Sequence, residues 1–303
     1  MKSLFTIIFS FIFAFVLVSC GDKEKTETED KDPVSDVDEA NDNDIEDEKI
    51  DDDTDNGETE DEEEEELLCE GIDVKSEEDI ESIKKCVEIT GSVIFESTDF
   101  TQIELPLLEK VKGSLVFGSY WDKVADKMVG EGNPSLESIS LPELKEVTGD
   151  FSVYNNPAVT VFSAPELVSV GEFWVENNAL LESFDAGKLE NVTGDLGIWD
   201  NASITEIETS SLAGVDGFLW VRRNAMLEKL SMDSLVSVGV DFKITSHDTL
   251  NTIEFSELGK IGKDFYVRKN SKLPTSMVEA LKDQVEAKDG IGGSVMITDN
   301  LED

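Results

Sequence analysis

From Gly91 onward the chain repeats a pattern of apolar and polar positions. Apolar-x-apolar pairs stand at Val93/Phe95, Leu115/Phe117, Phe151/Val153, Phe173/Val175, Leu196/Ile198, Leu219/Val221, Phe242/Ile244, Phe265/Val267 and Val295/Ile297. Their first members are 22, 36, 22, 23, 23, 23, 23 and 30 residues apart. Each pair predicts a short strand of period two. A polar bend follows, usually with asparagine: Asn155-Asn156, Asn177-Asn178, Asn201, Asn224 and Asn270, with His247 standing in once. Asparagine suits a bend because its side chain bonds to nearby backbone and tolerates left-handed geometry. Further apolar positions come next, as in Leu180, Phe184, Leu189 and Val192, and a glycine commonly closes the turn. A fixed period of 22 to 23 residues predicts a mostly β solenoid of about nine coils, each stacking its apolar positions on the next. The longer spacings are insertions. One covers Gly118 to Pro134, with Trp121 and Met128. The other covers Pro274 to Ala287, where Ser276, Met277, Val278, Leu281 and Val285 predict a short helix covering the C-terminal end.

The same register says which side chains face outward, because alternate residues of a strand point to opposite faces. The residues between the apolar pairs form one outward column: Ile94, Val116, Ser152, Trp174, Gly197, Trp220, Lys243 and Tyr266. Those just after the pairs form a second: Glu96, Gly118, Tyr154, Glu176, Trp199, Arg222, Thr245 and Arg268. Three of the four tryptophans therefore fall on one face, joined by Tyr154 and Tyr266. With coils about 4.8 Å apart, five rings share a band, and Gly197 is expected to leave a gap between Trp174 and Trp220. Trp and Tyr beside Arg222 and Arg268 is the composition of binding hot spots, with a cation–π contact expected between Trp199 and Arg222. Tyr154, Trp174, Trp199, Trp220, Arg222, Tyr266 and Arg268 are the candidate ligand-binding residues. The competing reading is that aromatics simply favour strands and that the Trp121 insertion covers them.

The first 66 residues lack this pattern. Lys2 precedes an apolar run from Leu4 to Val18, too short to span a bilayer comfortably and shaped like the core of a signal peptide. It ends in Leu17-Val18-Ser19-Cys20, which resembles the lipobox of bacterial lipoproteins. That resemblance implies a signal peptide over 1–19, cleavage before Cys20 and lipid attachment to its thiol. Gly21, rather than Asp, follows the cysteine, which favours the outer membrane or cell surface over retention at the inner membrane. Residues 22–66 hold 26 Asp and Glu against 4 Lys, half of the chain's net charge of −44, and no aromatic residue. Such a segment cannot bury enough apolar surface to order itself, so 20–67 is expected to be the lipidated cysteine and a disordered acidic tether. The folded part is then 68–303. Asp51, Asp53, Asp55 and Glu62 match positions one, three, five and twelve of an EF-hand loop. However, the sixth position is Asn56 rather than glycine and no amphipathic helix flanks the window, so composition explains the match and no metal is assigned. A chain this acidic, without a basic patch, is not expected to bind nucleic acid. The chain stops at Asp303 without a hydrophobic tail, so no second anchor is expected there.

With Cys20 committed to lipid, Cys69 and Cys86 remain as a pair in an oxidising compartment. Between them Ser76 reads as a helix N-cap, with Asp79 three residues on and Ile80 and Ile83 marking the apolar side, so a disulfide across one short helix is expected. The run Cys69…Ser76-Glu77-Glu78-Asp79-Ile80…Cys86-Val87-Glu88-Ile89-Thr90-Gly91-Ser92-Val93 resembles the start of the receptor L-domain family. The repeats Leu141-Pro142-Glu143-Leu144-Lys145-Glu146-Val147-Thr148-Gly149-Asp150-Phe151 and Ala164-Pro165-Glu166-Leu167 resemble it too. Generic leucine-rich repeats are the nearest alternative. The resemblance covers roughly 69–300 and implies a right-handed, β-helix-like superhelix with a disulfide at its N-terminal cap. It also implies extracellular binding, without carrying over a ligand.

No catalytic constellation, phosphate-binding loop, dinucleotide motif, zinc spacing or cofactor signature is present. The single histidine, His247, sits where neighbouring coils place asparagine, which makes it structural. The expected function is non-enzymatic recognition or adhesion at the cell envelope: membrane attachment through the N-terminal lipid, and an extracellular protein or glycan as partner. A carbohydrate-active enzyme on a β-helix and a passive envelope spacer are the alternatives.

Overall fold

The computed structural model describes residues 67–122 and 126–303. The signal peptide, Cys20, the acidic tether up to residue 66 and the calcium-like window lie outside the described residues.

The solenoid is present, with about nine coils about 23 residues apart and two helices. All nine apolar pairs lie in strands, and both members of the first eight are fully buried. Successive pairs are hydrogen-bonded in parallel and in step, Phe173 beside Leu196, Leu196 beside Leu219, Leu219 beside Phe242. A full coil contributes short strands to as many as three parallel ladders. The coil that begins at Ser169, for example, supplies Ser169–Glu176 to the large sheet and Ser183–Asp185 to a smaller one. Inside, equivalent residues of neighbouring coils touch: Phe95 stacks on Phe117 at 5.1 Å, Phe151 on Phe173 at 5.5 Å and Phe242 on Phe265 at 5.3 Å. Strand Leu68–Val74 adds a further row in front of Val93–Phe95, an element the apolar pairs alone did not mark. One position of the pattern is corrected. Leu180 is half exposed, and the core position of that coil is Leu181, three residues after Asn178 as Leu227 is three after Asn224.

The asparagines do something other than shape the bend. The residue before each one takes the left-handed conformation: Asn155, Asn177, Asp200, Arg223, Ser246, Lys269 and Asp299 all have φ between 52° and 65°. The asparagine itself turns inward. Asn133, Asn156, Asn178, Asn201, Asn224 and Asn270 are fully buried, each donating from Nδ2 to a strand carbonyl of the preceding coil and accepting with Oδ1 from the backbone N–H of the preceding rung. Asn224 keeps this pattern, its Oδ1 taking Asn201 N–H, but its own N–H goes to an imidazole rather than to an asparagine. That imidazole is His247, which accepts from Asn224 N–H at Nδ1 (3.3 Å) and faces the Val221 carbonyl with Nε2 (3.2 Å), so the neutral ring with its proton on Nε2 reproduces an asparagine. Burial pushes the imidazole below its ordinary value. The unfolded chain takes up a proton near pH 6.5 that the folded chain resists, so stability is complete above that pH and declines as pH falls through and below it. We expect His247→Asn to be within about 1 kcal/mol of neutral at pH 7.5, because asparagine is the usual occupant. The loss of Tm between pH 7.5 and 5.5 should be smaller than in the parent chain; equal losses would refute the assignment.

The ends are covered. At the N-terminal end helix α1 (Glu77–Ile83) carries a full capping box between Ser76 and Asp79 and buries Ile80 and Ile83. Cys69 and Cys86 flank it with Cα atoms 5.9 Å apart and are joined by a disulfide. At the other end helix α2 (Thr275–Glu286) buries Val278, Leu281 and Val285 against the last coils. Glycines stack where the strands turn closest. A Cβ on Gly262 would lie 1.8 Å from the Gly239 carbonyl oxygen, so no other residue fits there.

Candidate functional site

Three outward columns, not two, meet on the large sheet. The added one precedes the apolar pairs: Ser92, Ser114, Asp150, Glu172, Asp195, Phe218, Asp241, Asp264 and Ser294. At five of the rungs its oxygens tie one coil to the next at the start of the strand. Ser92 Oγ accepts from Ser114 N–H, Ser114 Oγ from Asp150 N–H, Asp195 Oδ1 from Phe218 N–H and Asp264 Oδ1 from Ser294 N–H. The same acids receive hydrogen bonds from two residues along the strand. Trp174 Nε1 donates to Glu172, Lys243 to Asp241 and the Tyr266 hydroxyl to Asp264, at 2.7 to 2.8 Å. Phe218 breaks this rule, and Trp220 Nε1 beside it is buried without a hydrogen bond.

Around Phe218 the rings gather. Trp174 and Trp199 meet edge to face at 5.2 Å, Trp199 and Trp220 likewise at 5.2 Å, and Phe218 touches Trp174 at 5.7 Å and Trp220 at 6.0 Å. Gly197 leaves no gap. A Cβ there would come within 2.5 Å of both the Trp174 and Trp199 rings, which close over it. The Arg222 guanidinium lies 5.0 Å from the Trp199 ring centre and 4.2 Å from that of Trp220, and Lys243 lies between Trp220 (5.6 Å) and Tyr266 (5.4 Å). The expected Trp199–Arg222 pair is present, and the closer partner is Trp220.

Two expectations are therefore corrected. Trp199 is not offered to solvent: its neighbours leave it 8% exposed, and Trp174, Trp220, Tyr154 and Tyr266 are half-buried. Nor do the five rings form one continuous band. Tyr266 joins the cluster only through Lys243, and Arg268 stands apart, exposed, with its guanidinium near Met296 Sδ. Phe218 stands in the third outward column, one residue before Leu219, outside the two columns next to the apolar pairs; the alternation carried one step back from Leu219 locates it.

The insertion between Gly118 and Asn133 forms an antiparallel hairpin of Tyr120–Asp122 and Lys127–Val129. Between it and the sheet runs a groove of about 810 Å³. Ile94, Val116 and Ser152 line its sheet side, Tyr120 and Met128 the hairpin side, and Trp174, Trp199 and Phe218 the end nearest the ring cluster. Asp150, Glu172 and Asp195 run along one flank, and Tyr154 and Glu176 along the other. Burial holds the Glu176 carboxyl above the usual carboxylate range. The Trp199 indole, which is near it without hydrogen-bond geometry, and Arg222 pull it back down, while Asp200 pushes it further up. The insertion thus builds a wall beside the N-terminal half of the face, and Trp220 lies outside the groove lining. Among the described residues no group of three or more His, Cys, Asp and Glu is placed to hold a metal ion. No protein-family model matches this chain, and neither a curated protein nor a solved structure is significantly similar to it.

Proposed function

We propose that this chain is a lipid-anchored recognition or adhesion protein of the bacterial cell envelope, of receptor L-domain type and non-enzymatic. In this reading it is attached through Cys20, held off the membrane by its acidic tether, and binds an extracellular partner on the outward face of the large sheet. The observation that carries this is the groove of about 810 Å³ beside a cluster of three tryptophans and Phe218. That volume lies in the usual range for ligand sites, and half-buried Trp beside Arg marks energetic hot spots. Mixed carboxylates and rings also suit a polysaccharide-cleaving site, but Glu172 is engaged by Trp174 and Asp195 by a backbone N–H. Orientation of the sheet residues accounts for both bonds.

Two expected results test it. A screen of the full chain against envelope glycans and peptides should yield a ligand whose affinity falls when Trp174 and Trp220 are both replaced by alanine. Each ring lost removes contact area worth about 25 cal/mol per Å². Far-UV circular dichroism should stay unchanged, since the apolar pairs beneath remain. Unaltered affinity, or a variant that unfolds, would sink the reading of the face. For the anchor, Cys20→Ser should abolish palmitate labelling and release the protein from the membrane fraction; unchanged labelling would rule out attachment there.

A further inference from the structure

We infer that the groove recognises the lysine or arginine side chain of an extended partner peptide, its charged head lodging against Glu176 among the Tyr154, Trp174 and Trp199 rings. This rests on the sheet face being the binding surface. Glu176 occupies an unusual place. Its row neighbours are Tyr154 on one side and Trp199 on the other, and Trp174 lies two residues back on the same face. Elsewhere on the solenoid, glutamates facing the next coil are matched to lysines: Glu146 to Lys110, Glu109 to Lys145, Glu166 to Lys188, and both Glu206 and Glu254 to Lys229. Glu176 forms no ion pair with a described residue. The two nearby arginines are engaged elsewhere, Arg222 over Trp199 and Trp220 and Arg223 on Asp200.

A carboxylate flanked by aromatic rings favours a cation, which gains both charge attraction and attraction to the ring faces. The face shows the same chemistry a few coils on, where Arg222 and Lys243 cover Trp220. The rest of the groove suits the aliphatic stem of such a side chain, with Ile94, Val116 and Met128 along its walls. A neutral glycan fits less well. Its hydroxyls find partners in Ser92, Ser114, Ser152 and the tyrosines, but it carries no positive charge, whereas the described charged groups lining the groove are all carboxylates. The solenoid also carries half of the net charge of −44, which attracts a basic partner over a distance set by the salt.

The test titrates the full chain, followed by tryptophan fluorescence at physiological salt, with an acetylated and amidated peptide containing two lysines. Its norleucine analogue and a neutral hexasaccharide serve as comparisons. The expected result is that only the lysine peptide binds, and that Glu176→Gln and Tyr154→Leu each weaken it about tenfold or more, the size of one such contact. Glu176→Gln changes one charge among many, so binding that survives it unchanged would be general attraction to the acidic chain and would overturn the inference. Binding of the hexasaccharide but not the peptide, lost in the Trp174→Ala/Trp220→Ala variant, would overturn it too while leaving the face as the binding surface. A ligand that binds equally well to that double variant would remove the face itself.

Discussion

Asn178→Ala should cost about 4 kcal/mol, while the same change one residue earlier, Asn177→Ala, should cost about 1. Asn178 is fully buried. Its Oδ1 accepts from Asn156 N–H at 3.0 Å, and its Nδ2 donates to the Val153 carbonyl at 2.8 Å and to Asn201 Oδ1 at 3.1 Å. Alanine leaves the Asn156 N–H and the Val153 carbonyl inside the solenoid without these partners, at about 2 kcal/mol each. Asn177 is exposed and left-handed, with φ of 56°, so alanine there costs the local strain and one solvent-exposed hydrogen bond, from Nδ2 to Asn155 Oδ1 at 2.9 Å. Urea unfolding of the two variants checks this. Similar losses would show that the buried ladder contributes no more than the bend. Because a domain has about 5–15 kcal/mol of net stability, the first variant is expected to be near the limit of folding.

Opening the disulfide is the second large effect. Cys69 and Cys86 are 17 residues apart and enclose helix α1. Removing a link across a loop of this size restores chain entropy to the unfolded state worth about 3 kcal/mol. The double Cys69→Ser/Cys86→Ser variant should therefore unfold at lower urea, and reduction of the parent chain should lower its midpoint by the same amount. Reduction should leave the double variant unaffected. A parent protein with two titratable thiols after unfolding without reductant would show that no bond forms.

The solenoid was legible because its core pattern is repeated nine times, and a one-residue slip would have exposed every pair at once. The face follows from the same alternation, which puts Trp174, Trp199 and Trp220 on one side of one sheet. Exposure was not legible. Trp199 is buried by Trp174 and Trp220 of neighbouring coils and by Arg222, a contact between side chains that alternation does not describe. The asparagines were read as local turn formers, the usual role of the residue type. Two adjacent residues divide that role: the first takes the left-handed backbone and the second bonds across coils, and composition alone does not separate them. The groove was invisible for a further reason. It lies between a sheet and an insertion that breaks the repeat, and the repeat gave no register for residues 118–133.

That insertion sits between a strand end and its ladder asparagine, Gly118 and Asn133, where the later coils need a single residue. Asn133 nevertheless closes its rung, bonding to the Phe95 carbonyl and to Asn156 as if nothing had been added. The corner is thus a graft point: the closing bonds are made by residues on either side of the added segment, and its length does not enter them. New loops placed before Asn156, Asn178, Asn201 or Asn224 would stand over the same face, one coil further along each time. A lineage of such chains can change what it grips by swapping a loop at one corner, leaving the scaffold beneath untouched.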